Sequence, residues 1–276
     1  MYDLPLLTSP GEWVRAWKPA VPGIDEVFHA RFLDHVYPPH THEAWTVFIV
    51  DEGAIRYDLE TRHRGAAGAR VTVLPPYVVH DGRPATGAGF RKRVLYLGSD
   101  VLDEDLIGRA VDDPDIEDRT LVRQLGSLHG MLGNPDADLA AETALADVRS
   151  RIRAHLGARP ETLVDRPGDL ASDLRDLLDG HLADRITLAE AGRILHASPA
   201  HLERCFSRTF GIAPHRYLLA RRIDAARRRL LEGEPVAGVA TGVGFHDQAH
   251  LTRHFRRHVG TTPASYASAI GGRGGR

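Results

Sequence analysis

Residues 198–217, SPAHLERCFSRTFGIAPHRY, return in outline at residues 247–266 as DQAHLTRHFRRHVGTTPASY. Nine positions are identical at a constant offset of 49 residues. Ser198 and Asp247 open the two copies, and both residue types are strong helix N-caps because their side chains accept hydrogen bonds from the first backbone amides of a helix. The sequence therefore predicts that one small helical unit is present twice.

Each copy follows a shorter helix. Thr187 and Glu190 have the spacing of a capping box, which predicts a helix over residues 188–195. Residues 236–243 supply the equivalent helix of the second copy, and Gly244 supplies the turn after it. Within each repeated segment an apolar pair four residues apart is predicted to face the core. These pairs are Leu202 with Phe206 and Leu251 with Phe255. The pattern predicts a C-terminal all-α domain with two helix-turn-helix units.

A helix-turn-helix unit places its second helix in the major groove of DNA, where the first turns read base edges. The outward residues predicted to do so are Ala200, His201, Glu203 and Arg204 in the first copy, and Gln248, Ala249, His250, Thr252 and Arg253 in the second. Later arginines lie where the helix leaves the groove and are predicted to contact phosphate. They are Arg208, Arg256 and Arg257. The alternative for any one arginine is a solvated helix face. Double-stranded DNA is the predicted partner.

The two units are joined by a predicted helix. Pro214 and Gly233 bracket it, and about eighteen residues give a length of roughly 27 Å. This length approaches the ~34 Å repeat of B-DNA, so two adjacent major-groove segments are within reach of one chain. Its last turns carry Arg227, Arg228 and Arg229, which either offset the negative helix end or contact phosphate.

Charge is divided unevenly along the 276 residues. Residues 181–276 carry 15 Lys+Arg and 7 Asp+Glu, a balance of +8, while the whole chain has formal charge -2. Residues 1–180 therefore carry -10, and the basic end is the predicted DNA-binding end. The single cysteine, Cys205, excludes an internal disulfide, and no secretory leader or long apolar run is evident. We expect a cytoplasmic protein with no membrane association.

The second copy carries a further signature: Gly244-Phe245, Gln248, His250-Leu251, Arg253, Phe255, Arg256, Gly260, Thr262-Pro263 and Tyr266. With the order of the two units, these residues resemble the AraC (AraC/XylS) family of transcription regulators. The resemblance implies a double helix-turn-helix DNA-binding domain over residues 169–270, whose first recognition helix often makes the stronger base contacts. Ala200 and Ala249 depart from the family, which frequently places a longer base-reading side chain at these positions.

The N-terminal part has a different pattern. Short alternating or apolar runs are separated by glycines and prolines, which predicts strands joined by turns. The runs cover residues 27–32, 44–50, 55–59, 71–74 and 94–97. We expect them to close into an antiparallel β-barrel over residues 23–100, so the whole chain is predicted to be α+β. The family resemblance implies the same, because many members carry a cupin-like effector domain at this end.

Two histidine-containing segments, PHTH and PPYVVH, resemble the half-motifs of cupin barrels. His40 and His42 lie two positions apart at the start of a predicted strand and so point to one side, where His80 can complete a face able to hold a divalent metal. A catalytic cupin also has a glutamate several residues after the second histidine, whereas Glu43 follows it at once and lies on the opposite strand face. The sequence therefore favours no resident cofactor, and three histidines that form hydrogen bonds in the wall of an effector pocket.

Three aromatic side chains near these histidines, Tyr37, Trp45 and Tyr77, either form walls of the effector pocket or pack in the core. Residues 1–22 contain two tryptophans and no periodicity, and we expect them to form an arm rather than a strand. The resemblance implies that such an arm can close over a bound effector. The alternative is an arm packed against the outside of the barrel.

Residues 101–156 include two helical patterns, at 118–132 and 138–156, which predict an antiparallel pair. The second pattern carries an apolar stripe of Leu145, Val148, Ile152 and Leu156. This stripe either packs on the barrel or, as the resemblance implies, joins two copies of the chain into a homodimer. A linker over residues 157–168 and a disordered tail over residues 271–276 complete the predicted layout.

These patterns predict a sequence-specific transcriptional regulator that responds to a small-molecule effector bound in the barrel, with RNA polymerase as a further partner if it is an activator. The alternative is a metal-dependent cupin enzyme tethered to a DNA-binding domain. The misplaced glutamate and the lack of any other cluster of catalytic side chains argue against an enzyme.

Overall fold

The computed structural model describes residues 11–60, 62–134, 137–157, 170–184 and 186–268. An N-terminal domain of antiparallel strands flanked by helices precedes a C-terminal domain of helices, so the predicted α+β class is confirmed. The strands are β1 (Trp13–Trp17), β2 (Ile24–Phe32), β3 (Tyr37–His40), β4 (Trp45–Leu59), β5 (Arg62–Ala67), β6 (Val71–Leu74), β7 (His80–Pro84), β8 (Phe90–Leu97) and β9 (Asp115–Ile116). The N-terminal helices are α1 (Ile107–Asp112), α2 (Arg119–Met131) and α3 (Asp138–Gly157). The C-terminal helices are α4 (Leu170–Gly180), α5 (Leu188–Ile194), α6 (Pro199–Phe210), α7 (Pro214–Leu231), α8 (Val236–Gly242), α9 (Gln248–Val259) and α10 (Pro263–Ser268). Within the described ranges, no helix is long and apolar enough to cross a membrane.

Strand β4 connects two antiparallel sheets. Its first half pairs with β8 and β6, and its second half pairs with β5 and β7. The first sheet continues from β8 to β2 and β1, and β3 pairs with β7 in the second. The side chains between the sheets are apolar or aromatic and include Phe28, Phe48, Tyr57 and Val94.

The sequence predicts two separate strands where the chain forms the single 15-residue strand β4. Gly53 has a φ of 72° and the register with β8 shifts between Val50 and Glu52, so the glycine bends the strand instead of ending it. A side chain at Gly53 would also collide with the carbonyl oxygen of Gly89. The prediction was wrong because a glycine at a bend looks like a glycine at a turn.

The predicted N-terminal arm is also corrected in part. Trp13–Trp17 is strand β1, antiparallel to β2, and Ala16 and Trp17 are buried. The indole nitrogen of Trp17 donates a hydrogen bond to the carbonyl of Leu132, at 3.0 Å, which fastens this strand to the end of α2. A strand of five residues is too short to show a clear period and is stabilised by its neighbour. Residues 1–10 of the predicted arm lie outside the described residues.

Helices α2 and α3 cover the outer face of the first sheet. Asp118 caps α2 by accepting hydrogen bonds from the amides of Thr120 and Leu121. The apolar stripe on α3 is buried in the same cluster as Trp45, Val47 and Leu95 of the sheet. The stripe therefore packs on its own domain, which was one of the two predicted alternatives. The predicted linker lies outside the described residues except for Gly157, which ends α3, and the predicted tail lies outside them entirely.

The C-terminal helices follow the predicted start and stop signals. Thr187 and Glu190 form the reciprocal capping box, and the Ser198 and Asp247 side chains accept hydrogen bonds from the amides of His201 and His250. The core-facing pairs Leu202 with Phe206 and Leu251 with Phe255 are fully buried. Helix α7 has 18 residues, which is the predicted length of the connection between the two units.

The two domains share one apolar cluster. Ile223 and Leu230 of α7 and Phe255 of α9 belong to the same buried cluster as Phe28 and Tyr57 of the strands. Gly260, at the end of α9, approaches Phe32 so closely that a side chain there would overlap the phenyl ring. The second helix-turn-helix unit is therefore packed directly against the strand domain.

Candidate effector cavity and nucleic-acid interface

A cavity lies where the strand domain meets α7 and α9, with an empty volume of about 570 Å³ that includes its opening to solvent. The part enclosed by the walls is about 40 Å³, room for a few water molecules, so a larger ligand requires side chains of the wall to move apart. The strand domain lines it with Phe28, Tyr37, His40, His42, Thr46, Phe48, Ile55, Tyr57, Leu74, His80, Asp81, Gly82, Lys92 and Tyr96. The C-terminal domain adds Arg227, His258 and Val259. Any molecule that fills the cavity touches both domains.

Three buried histidines meet at this cavity. His40 ends β3 and His80 begins β7, and the two are register partners across these strands. His42 lies in the loop before β4, so the prediction that His40 and His42 belong to one strand and share its side was wrong in its first part. The loop nevertheless returns His42 to the same side, and the three ring centroids are 4.5 to 5.1 Å apart.

Each of these rings has its Nδ1 atom engaged. Nδ1 of His40 is 2.7 Å from the Pro38 carbonyl oxygen, and Nδ1 of His80 is 3.0 Å from the Val78 carbonyl oxygen. Burial, together with the neighbouring histidines, lowers the pKa of His40 well below its usual value and that of His80 to about 3. Both rings are therefore neutral near pH 7, so they donate through Nδ1 and keep an unprotonated Nε2.

Nδ1 of His42 lies 2.8 Å from Oδ1 of Asp224, a residue of helix α7. Burial alone would raise the pKa of Asp224, but His42, Arg227 and Arg221 outweigh it and hold that pKa below its usual value. Asp224 is therefore a buried carboxylate whose charge is balanced by its neighbours. Asp224 was not predicted from the sequence as a site residue.

The three aromatic side chains predicted for the pocket have different positions. Tyr37 lines the cavity and stacks on His40, with ring centroids 6.0 Å apart. Trp45 is fully buried on the far side of the first sheet, among the residues covered by α2 and α3. Tyr77 faces the guanidinium groups of Arg175 and Arg221, outside this cavity. Trp45 and Tyr77 are thus corrected to residues that pack elsewhere.

Lys92 is a cavity residue that the sequence analysis missed. Its ammonium lies 4.3 Å from the ring centroid of Tyr37 and 5.8 Å from those of Phe28 and Phe48. Burial, together with the nearby Arg227 charge, lowers its pKa to about 7. In the part of the chain that the structure describes, no carboxylate forms an ion pair with it. The signal in the sequence is that Lys92 is one of two lysines in an arginine-rich chain.

An ion-pair network that is buried at Arg227 and Arg221 and exposed at Arg228 joins α7 to the strand domain. Nη2 of Arg227 is 2.8 Å from Oε1 of Glu26, and Nη1 of Arg228 is 2.6 Å from Oε2 of Glu43. Arg221 pairs with Asp179 at 2.9 Å and with Glu43 at 3.3 Å. The sequence left phosphate contact open for the α7 arginines, but in this arrangement barrel carboxylates hold Arg227 and Arg228.

The residues predicted to read DNA lie mostly on exposed helix faces. On α6 these are Ala200, His201, Glu203, Arg204 and Arg208, and on α9 they are Gln248, Ala249, Arg253, Arg256 and Arg257. Thr252 and His250 are partly buried. Thr252 donates a hydrogen bond to the Gln248 carbonyl, and the His250 ring packs against Phe245. An open groove along α9 is bounded on its other side by His35 and Val36 of the strand domain.

Comparison with known families divides the chain at the same place as the fold. The AraC-like ligand binding domain matches residues 24–148, and a helix-turn-helix domain matches residues 192–269. The first match covers most of the strand domain with α2 and part of α3. The second covers both recognition helices, α6 and α9.

Individual relatives are transcriptional regulators. The probable transcriptional regulator LumQ of Photobacterium leiognathi is 27% identical over 132 residues, which is 48% of this chain and 52% of LumQ. The chain thus spans about half the length of that relative. The HTH-type transcriptional regulator YbfI of Bacillus subtilis is 23% identical over 234 residues, covering 82% of this chain and 85% of YbfI.

Among solved structures, unsaturated fatty acid bound ToxT from Vibrio cholerae strain SCE256 superposes with a TM-score of 0.59. The two chains are 13% identical, and the superposition covers 99% of this chain and 100% of ToxT. At this level of identity the likeness shows a shared two-domain fold.

Proposed function

The chain belongs to the AraC family of transcriptional regulators, and on that premise we propose that a small molecule in the cavity between its two domains controls how it binds promoter DNA. The observation that carries the proposal is the wall of the cavity, because Arg227 and His258 of the DNA-binding domain stand opposite Tyr37 and Lys92 of the strand domain. A ligand there contacts both domains at once.

Such contacts are what regulation requires. A ligand shifts an equilibrium between two domain arrangements only if its affinity for them differs. Arg227 belongs to α7, which spaces the two recognition helices, and His258 belongs to α9, which is the second of them. If the domains separate, a ligand loses the contacts with these two residues. The ligand therefore favours the packed arrangement and fixes the position of α7 and α9.

The chemistry of the cavity favours an amphipathic molecule with an acidic group. Phe28, Phe48 and Tyr57 supply apolar walls, and Lys92 supplies a cation whose charge no carboxylate balances within the described residues. An anion beside Lys92 compensates the cost of burying that charge. The bound unsaturated fatty acid named for ToxT belongs to the same chemical class.

On DNA, the two recognition helices have the roles predicted from the sequence. Arg204 and Arg253 occupy equivalent exposed positions in the first turns and read base edges, while Arg208 and Arg257 contact phosphate. The proposal includes a cytoplasmic location. Because the stripe on α3 is buried in its own domain, a homodimer would have to use a surface other than this stripe. Contact with RNA polymerase is part of the proposal only for an activator.

The enzyme alternative has less support. Family membership favours a regulator, and the glutamate that a catalytic cupin would need is replaced by Glu43, which points away to Arg221 and Arg228. The histidines themselves do not require an enzyme. A regulator can use the same three side chains to hold a ligand.

Two measurements test the proposal with the full chain. Selection from random duplexes followed by gel retardation identifies a DNA site, and calorimetry with oleate and benzoate, each beside its neutral alcohol, tests the ligand class. We expect at least one acid to bind and Lys92→Met to weaken it at least tenfold, while Lys18→Met, at the other lysine, has no effect. Absence of any retarded duplex would overturn the DNA role, and binding of alcohols as tightly as acids would overturn the ligand class.

A further inference from the structure

We propose that His40, His42 and His80 form a binding site for a divalent transition-metal ion, and that Asp224 of the DNA-binding domain holds one of these ligands in place. The site goes beyond effector control of DNA binding, because a metal would be bound by the chain before any effector or DNA is present.

Three buried ligand atoms converge at this site. One nitrogen from each ring lies within 4.8 Å of the others. Nitrogens around a tetrahedral zinc are about 3.4 Å apart, so the rings must close by roughly an ångström to coordinate an ion. Among the described residues, this is the one group of three metal-ligating side chains that lie this close together. The strand pairing of His40 with His80 fixes two of the three positions.

Each of the three rings has an oxygen acceptor at its Nδ1 atom, on the side away from the proposed ion. Metal-ligating histidines almost always donate their other ring N–H to a carbonyl or a carboxylate, which fixes the tautomer and the ring orientation. All three rings have this arrangement, on Pro38, Asp224 and Val78. With Nδ1 engaged in every ring, Nε2 is the atom that remains for the ion.

The donor set selects the class of metal. Three neutral imidazoles suit Zn²⁺, Co²⁺, Ni²⁺ or Fe²⁺, whereas Mg²⁺ and Ca²⁺ require oxygen ligands. Three protein ligands also leave a coordination position open. That position faces a cavity that contains Lys92 and Arg227, so an anionic donor is favoured there over a neutral one. Coordination of the effector's acidic group at this position rests on the proposed function. Metal binding by the three histidines does not depend on that function.

Asp224 gives metal binding a regulatory consequence, because it belongs to the DNA-binding domain and contacts a histidine of the strand domain. It lies 2.8 Å from His42 in the strand domain and 3.5 Å from Arg227 within its own helix. An ion on His42 strengthens the ring as a donor to Asp224, and Asp224 in turn favours the ring orientation that binds the ion. The two effects are reciprocal. Metal occupancy therefore favours the packed arrangement of the two domains.

The test uses the full chain after chelation and dialysis, with Co²⁺ alone as the probe. We expect the chain to bind a single Co²⁺ with the visible absorption of a low-symmetry nitrogen site, and Zn²⁺ to displace it. His80→Ala should abolish the signal. His250→Ala is the matched control, because its ring packs 4.8 Å from His254 on α9 in a separate histidine pair, and it should bind like the wild type.

Asp224→Asn tests the contribution of the DNA-binding domain. It should keep the stoichiometry and weaken Co²⁺ binding by about 10- to 100-fold. X-ray absorption of the Zn²⁺-loaded wild type checks the ligands without any variant, and three imidazole donors are expected. Unchanged Co²⁺ binding in His80→Ala, or no tight binding by the wild type, would overturn the site. Since neither DNA nor effector is present, these outcomes are independent of the proposed regulation.

Discussion

Nδ1 of His42 and Oδ1 of Asp224 lie 2.8 Å apart, although 182 residues separate them in sequence and they belong to different domains. Both are buried, and the pair stands between the cavity and helix α7, which connects the two recognition helices. This hydrogen bond is therefore one direct connection from the cavity to the DNA-binding domain, beside Arg227 and His258 in the cavity wall. The same interface contains the buried Arg227–Glu26 ion pair. The stability of the interface therefore depends on keeping both of these charges.

The Arg227–Glu26 pair should contribute strongly to stability only while both partners are present. Each side chain is about 6% exposed. Arg227→Met leaves the buried Glu26 without its ion-pair partner, and Glu26→Gln leaves Arg227 with only the Asp224 carboxylate, at 3.5 Å. Each single substitution should lower the free energy of unfolding by about 3 to 5 kcal/mol, and the double substitution should cost less than the sum. Urea unfolding of the four proteins measures this. Glu234→Gln, at a solvent-screened pair with Arg229, is the control and should leave the free energy of unfolding nearly unchanged.

The two classes of arginine on the recognition helices should differ in specificity. Arg204→Ala should cost about 1 to 3 kcal/mol on the selected duplex and relax the choice at one base pair. Arg257→Ala should weaken binding to the selected and the random duplex alike. It should also reduce the slope of the logarithm of the binding constant against the logarithm of the salt concentration by about 1. Fluorescence anisotropy on both duplexes at several salt concentrations measures these effects. Equal losses for the two variants on both duplexes would contradict the assignment of roles.

Part of the stability lost in mild acid should come from a histidine pair between β2 and α2. Nε2 of His29 lies 3.1 Å from Nδ1 of His129. Burial, with Arg93 and Arg15 nearby, lowers the pKa of His29 to about 4, and burial beside His29 lowers that of His129 well below its usual value. The unfolded chain binds these protons near pH 6.5. The contribution of the two neutral rings to the free energy of unfolding is therefore fully present above that pH and is lost as the pH falls toward 4.

Each of the two histidines adds a slope of at most about 1.4 kcal/mol per pH unit in that window. His29→Gln should therefore show a shallower loss of unfolding free energy between pH 6.5 and 4 than the wild type. Denaturant unfolding at a series of pH values provides the comparison. Parallel curves for the two proteins would show that His29 takes up its proton equally in both states.

Gly53 should be intolerant of a side chain because its φ of 72° and the Gly89 carbonyl both exclude one. Gly53→Ala should lower the free energy of unfolding by about 1 to 3 kcal/mol, or more if the bend in β4 is lost. Gly87→Ala is the matched control, since nothing lies within 4 Å of the added carbon. Thermal unfolding distinguishes them, and equal midpoints would mean that the bend relaxes without cost.

Much of the C-terminal domain could be predicted from the sequence because its signals are local. Ser198 and Asp247 cap helices a few residues away, and the buried pairs on α6 and α9 lie four residues apart. Such spacings are visible without knowledge of the rest of the fold. The strands were predicted less well, since Gly53 bends a strand that was expected to end, and β1 depends on its partner β2.

The cavity was predicted only through its histidines. Glu26, Lys92 and Asp224 were missed because their roles arise between distant segments: Glu26 meets Arg227 across 201 residues and Asp224 meets His42 across 182. No periodicity or motif marks such a pair. Trp45 was assigned to the pocket because it follows the histidines in sequence, but β4 turns its side chain to the opposite face of the sheet.

The most direct test of the central claim is the affinity of an acidic ligand measured with and without DNA. Calorimetry gives the Kd of the acid for the free protein and for the protein saturated with its selected duplex, and anisotropy gives the Kd of the duplex with and without the acid. Because the cavity is formed by both domains, the account predicts that both Kd values change by the same factor. A ligand affinity that is identical with and without saturating duplex would contradict it.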